Sequence, residues 1–128
     1  MEKEKIAILM KSEGLSKDTI FYRYTYEEHL IKTEEGKYKL SANDSATEMV
    51  EDYYISGHLV MAKYVGRGLA FTLEKDNEYK SDSKVCVEIR LSEILDQGGL
   101  IYPDRSSYET SSYFLTMPEG SVSVDKSA

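Results

Sequence analysis

Apolar and polar residues alternate strictly between positions 85 and 91. Val85, Val87, Ile89 and Leu91 fall on one side, and Cys86, Glu88 and Arg90 on the other. A period of two marks a strand with one buried face. A second such run covers 19–25, where Ile20, Tyr22 and Tyr24 alternate with Phe21, Arg23 and Thr25. Two more strands are predicted at 113–117 and 121–124, separated by the turn signal Pro118-Glu119-Gly120. They can form a hairpin or occupy different sheets. Shorter strands are predicted at 38–40 and 69–73.

The middle of the chain has a different period. Ser45 followed by Glu48 is a capping-box pattern, and Met49, Tyr53, Gly57, Val60 and Tyr64 then recur at intervals of three or four. This spacing predicts a central helical segment over 45–64, broken near Ser56-Gly57. A shorter helix is predicted over 92–97, capped by Ser92 and ended by Gly98-Gly99. Residues 2–11 suit a helix or an edge strand, broken at Ser12-Glu13-Gly14, and 26–30 suit a short helix or turn. Residues 34–37, 74–83 and 102–107 read as loops. The expected architecture is α+β, with a mostly antiparallel sheet and a central helical segment, in a single compact domain spanning 1–128 with frayed ends.

A chain of 128 residues is long enough to bury a core without covalent staples. Its single cysteine, Cys86, cannot form an internal disulfide, and its place inside an alternating strand points to a packed thiol. Residues 6–10 are too short an apolar run for a signal-peptide core or a membrane span, so a cytoplasmic protein without membrane insertion is expected. The 23 acidic and 16 basic side chains give a net charge of -7, which repels phosphate backbones and argues against direct nucleic-acid binding. A protein partner or a small ligand fits better. Eleven tyrosines and no tryptophan supply rings for sheet faces or for a stacking pocket.

No metal-ligand spacing, nucleophile elbow or phosphate loop is present. His29 and His58 each lack a second ligand nearby in sequence and read as structural or surface residues. The best candidate for a ligand wall is Gly66-Arg67-Gly68-Leu69-Ala70-Phe71-Thr72, which combines a permissive backbone with a cation. It lacks the full dinucleotide fingerprint. A tight connection with a solvated arginine is the competing reading. Arg23 can face an anion, or it can cover apolar surface with its methylenes. Glu88, Asp104, Glu109 and Glu119 are the candidate acids.

Three of these fragments together resemble the small ADP-ribosyltransferase fold. Phe21-Tyr22-Arg23-Tyr24-Thr25 is similar to its first core strand, and Gly66 to Thr72 is similar to its glycine turn and following strand. The run from Tyr113 to Val124 is similar to its closing strand, turn and strand. The resemblance implies NAD as the donor and a mono-ADP-ribosyl transfer to a protein target; a short acidic chain with neither a signal segment nor disulfides suits an effector acting inside a cell. It places Arg23 at the ribose or pyrophosphate, with Gly66, Gly68, Phe71 and Thr72 along the nicotinamide side and Arg67 among the cofactor-binding residues. Phe71 or Tyr64 would supply a stacking ring. Tyr24 stands where the family carries a small residue. Glu109 is the nearest acid to the late core strand and takes the catalytic place, with Asp104 as the alternative; the family's Glu-x-Glu is absent. The competing class is a non-enzymatic acidic interaction or inhibitor domain.

Overall fold

The computed structural model of the chain describes residue 11 and residues 14–41, 47–49, 53–55, 58–61, 66–76, 79–103, 112–117 and 121–127. The strands in chain order are β1 (Ile20–Thr25), β2 (Leu30–Lys32), β3 (Tyr38–Ser41), β4 (Thr47–Met49), β5 (Tyr53–Ile55), β6 (His58–Met61), β7 (Gly66–Thr72), β8 (Val85–Arg90), β9 (Leu100–Pro103), β10 (Ser112–Thr116) and β11 (Ser121–Lys126). One short helix, α1 (Leu91–Asp96), and a 3-10 turn at Glu27–His29 accompany them.

Antiparallel pairing joins nine strands into one sheet, in the order β2-β3-β11-β8-β1-β7-β10-β9, with β4 paired to β7. β5 and β6 form a separate two-stranded ribbon. The expectation of an α+β domain with a central helical segment is therefore corrected. The described part of that segment is β4, β5 and β6, and Ile55 pairs with His58 at the positions flanking the expected helix break. Tyr53-Tyr54-Ile55 and Leu59-Val60 are aromatic and branched side chains that favour a pleated backbone. A glycine inside a helix costs about 1 kcal/mol, so the three-and-four spacing did not outweigh local preference.

The alternation read at β1 and β8 is realised in their register. Phe21 lies opposite Ile89, Arg23 opposite Val87 and Thr25 opposite Val85. This is the buried face, and it continues through Phe71, Leu69, Tyr113 and Leu115 on one side and Val122, Val124 and Leu40 on the other. Phe21 is wholly buried and meets Tyr113 edge to face, with ring centroids 5.3 Å apart.

α1 is fixed at both ends by backbone groups. The Leu91 and Ser92 N–H groups donate to the carbonyls of Thr19 (2.9 Å) and Lys17 (3.0 Å), satisfying two orphan donors of the first turn. The Glu93 carboxylate accepts from the Arg90 N–H at 3.3 Å, so the cap lies at Arg90, and Ser92, the expected cap, sits inside the helix. At the other end Gly98 adopts φ +78, Gly98 N–H donates to Leu95 and Gly99 N–H donates to Ile94 at 2.9 Å, the glycine-dependent Schellman ending. Leu91 and Ile94 carry the helix onto the core.

The two predicted C-terminal strands exist, but they are not partners. β10 pairs with β7 and β9, whereas β11 pairs with β3 and β8. Strands β2 and β9 had no strand signal of their own in the sequence. Among the described residues, no helix is long and apolar enough to cross a membrane.

Candidate functional site

The seam between β1 and β7 brings two of the sequence candidates together. Their register is set by Tyr22 opposite Thr72, and one residue further along β1 the side chain of Arg23 reaches across to β7. Its Nη1 donates to the Ala70 carbonyl at 2.8 Å. The sequence left open whether Arg23 would face an anion or cover apolar surface. It lies on the core-facing side of β1, half-buried, with its guanidinium joined to the strand that carries Gly66 to Thr72. Burial lowers its pKa to about 10, which still leaves it cationic at neutral pH.

Thr72 is buried beside this seam. Its hydroxyl donates to the Glu74 carbonyl at 2.9 Å, with the Tyr22 carbonyl at 3.4 Å. Phe71 is only 1% exposed and packs in the core, so its ring offers no face to a ligand in this structure. Its apolar neighbours Leu69 and Tyr113 explain the placement, because β7 alternates Leu69 and Phe71 inward with Ala70 and Thr72 on the other side. The backbones of Gly66, Arg67 and Gly68 belong to β7, where they pair with Met49, Glu48 and Thr47 of β4. The expected glycine turn is thus extended strand. Tyr64, Asp104 and Glu109 lie outside the described residues.

The chain that carries the two candidate acids is nonetheless anchored beside the seam. It is bounded by Pro103, which pairs with Tyr113, and by Ser112, which pairs with Thr72. Thr72 therefore has Tyr22 on one flank and Ser112 on the other, and Arg23, the Thr72 end of β7 and both ends of the 104–111 connection meet at one end of the sheet, whereas Gly66 to Gly68 lie at the other end of β7.

The remaining candidates are placed elsewhere or tied up structurally. Glu88 lies on the opposite side of β8 from the core, across from Tyr22 and Asp125. Cys86 is half-buried across from Tyr24, and burial pushes its thiol above the ordinary cysteine value. The Tyr24 hydroxyl donates to the Lys75 carbonyl at 2.7 Å, holding the 73–76 connection against β1. His29 stands edge-on to Tyr26, and His58 begins β6. Among the described residues, no group of three or more His, Cys, Asp or Glu side chains could hold a metal ion.

Sequence reading missed the residues that tie the sheet to its helix. Lys37 pairs with Glu93 at 2.8 Å and approaches Asp125 at 3.6 Å, and Gln97 binds the backbone of Ser123. These contacts join residues far apart in the chain, and no local pattern announces them.

The sequence matches no protein-family model and no curated protein. In fold, the chain is similar to the crystal structure of AvrPphF ORF2, a type III effector from P. syringae, with a TM-score of 0.54 and 20% sequence identity. The similarity covers 100% of this chain and 91% of that one.

Proposed function

We propose that the protein is a mono-ADP-ribosyltransferase-like effector that transfers ADP-ribose from NAD to a protein partner. One observation carries the reading: Arg23, the Thr72 end of β7 and both anchors of the segment bearing Asp104 and Glu109 meet at one end of the sheet. The fold similarity to a type III effector over the whole chain is consistent with an effector role.

NAD, as donor substrate, supplies the ADP-ribosyl group and a nicotinamide leaving group, whose departure leaves positive charge on the ribose. In this reading Arg23 contributes a fixed cation toward the pyrophosphate, held in place by its bond to Ala70. Glu109, or Asp104 in its place, sets a carboxylate against the developing charge. The bond from the ribose C1′ to nicotinamide breaks, a bond from C1′ to a nucleophilic side chain of the target forms, and the proton of that side chain passes to solvent or to the acid. Tyr64 is the stacking ring this reading assigns, since Phe71 serves the core.

The test is incubation with labelled NAD and candidate target proteins, read by covalent mass gain on the target. Arg23→Lys and Glu109→Ala are run in parallel, with circular dichroism as a check on folding. Transfer that is lost in folded Glu109→Ala supports the assignment. Full transfer in that variant moves the acid to Asp104, and absence of both NAD binding and transfer overturns the proposal.

A further inference from the structure

The backbones of β1 and β7 are in register at a single pair, Tyr22 with Thr72, whereas the other flank of β1 is registered to β8 along its whole length. An antiparallel ladder continued from that pair would set Tyr24 beside Ala70. The ladder stops instead, and the Ala70 carbonyl accepts from the Arg23 guanidinium at 2.8 Å on the core side. The seam thus rests on one backbone pair, and side chains set how far the two strands stand apart beyond it.

On the outer side a strap does this. Continued in the same register, β7 would carry Lys75 level with Thr19, roughly 17 Å from Tyr24 along the strand and beyond the reach of a tyrosine side chain. The Tyr24 hydroxyl nonetheless donates to the Lys75 carbonyl at 2.7 Å, so the chain turns back after Thr72 and lies over the outer face of the sheet. The turn explains why Thr72, on the side away from the core, is only 5% exposed. Two hydroxyls buckle the strap at consecutive carbonyls, Thr72 at Glu74 (2.9 Å) and Tyr24 at Lys75. Desolvation, with Cys86 and Asp76 close by, pushes the Tyr24 hydroxyl above its ordinary value, so at neutral pH it is protonated and donates.

We propose that Tyr24 is a positioning residue for Arg23. Neighbours in β1, the two side chains leave on opposite faces and grip the β7 chain on either side of the Tyr22–Thr72 pair, Arg23 at Ala70 and Tyr24 at Lys75. With the Arg23 bond alone, β7 is free to swing about that pair and carry Ala70 away; the second grip blocks the swing. The guanidinium is thereby held at a fixed place, as a binding group must be. The large side chain that stands where the family carries a small one lies on the face away from the guanidinium and braces it from behind. Tyr24 acts through Arg23 and touches no substrate. What Arg23 binds rests on the transferase reading; that Tyr24 fixes it does not.

The test is Tyr24→Phe in the full chain, which removes the hydroxyl and keeps the ring, with Tyr26→Phe as the control at an exposed tyrosine outside the seam. Circular dichroism checks that both are folded. The first readout needs no NAD: exchange of the Arg23 guanidinium protons with solvent, followed by heteronuclear NMR and assigned by loss of the signal in Arg23→Lys. Exchange is expected to quicken about threefold in Tyr24→Phe, the scale of one net hydrogen bond, and to keep the parental rate in Tyr26→Phe. The second readout is the dissociation constant for NAD, expected to rise about threefold in Tyr24→Phe alone. Unchanged exchange in Tyr24→Phe, an equal change in Tyr26→Phe, or faster exchange with unaltered NAD affinity overturns the proposal. A parent protein that binds no NAD overturns the transferase reading instead, and faster exchange confined to Tyr24→Phe then still supports the positioning role.

Discussion

Gln97 and Ser123 are joined through both halves of a primary amide. The Gln97 Nε2 donates to the Ser123 carbonyl at 3.1 Å, and its Oε1 accepts from the Ser123 N–H at 2.9 Å. The side chain stands in for a neighbouring strand, satisfying β11 beyond the reach of β8, whose last registered pair with β11 is Glu88 opposite Asp125. It also pins the end of α1 to the sheet.

Gln97→Ala is expected to lower stability by about 1–3 kcal/mol, because it leaves a half-buried peptide group without its partners. Gln97→Glu is expected to cost more at neutral pH, since a carboxylate would then oppose the Ser123 carbonyl. Urea unfolding midpoints of the three proteins check both statements, and equal midpoints would show that the amide contributes nothing.

The Lys37–Glu93 pair gives the fold a dependence on acid. Partial burial pushes the Glu93 carboxyl up, but the Lys37 ammonium and the Arg90 N–H outweigh it and hold the carboxyl below its ordinary value. A depressed carboxyl stabilises the fold above the unfolded-state value and loses that contribution as pH falls through the folded-state value. Lys37 is raised, chiefly by its bond to Glu93, so its contribution holds below the ordinary lysine range and is lost as pH rises past its folded-state value. Glu93→Gln should therefore be less stable than the parent by about 1 kcal/mol at pH 7, and the gap should close at a pH below the usual carboxylate range. Denaturation midpoints across pH measure it; a constant gap would refute it.

Phe21→Ala is expected to cost about 3–5 kcal/mol, the range for emptying a filled aromatic site. The ring is wholly buried and packs edge-on against Tyr113, so the cavity would open between β1 and β10 at the level of the Arg23 seam. Phe21→Leu should lose less. Thermal unfolding of both variants tests the order.

Cys86 should react slowly with a thiol reagent at pH 7.5 in the folded protein and at an ordinary rate in urea. Burial raises its pKa and keeps it protonated, and only the thiolate attacks. A fast reaction in the native state would show that the 85–90 strand opens readily.

Strand β8 and the inward face of β1 were readable because each alternates over six residues, long enough for a period of two to exclude a helix. Residues 45–64 misled for the opposite reason. A capping pair and five spaced residues gave a helical period, yet the side chains between them were strand formers, and local preference prevailed with the support of β7. β2 and β9 are short and take their structure from pairing partners rather than from their own pattern. At the site, Arg23 and β7 were both singled out from sequence. Their meeting, and the inward turn of Phe71, depend on sheet register, which no single segment encodes.

The position of β11 sets the order in which this molecule can assemble. The last strand in sequence is an interior strand of the sheet, and the β2–β3 pair reaches the rest of the fold through it. Until β11 threads between β3 and β8, a ribbon with Ile31 at its rim and Leu40 on its inner face stands apart with its apolar side uncovered. Pairing β11 with β3 closes a long stretch of chain, the kind of non-local contact that slows folding. A tag or fusion that crowds the 121–126 strand would hinder that closure and slow folding further.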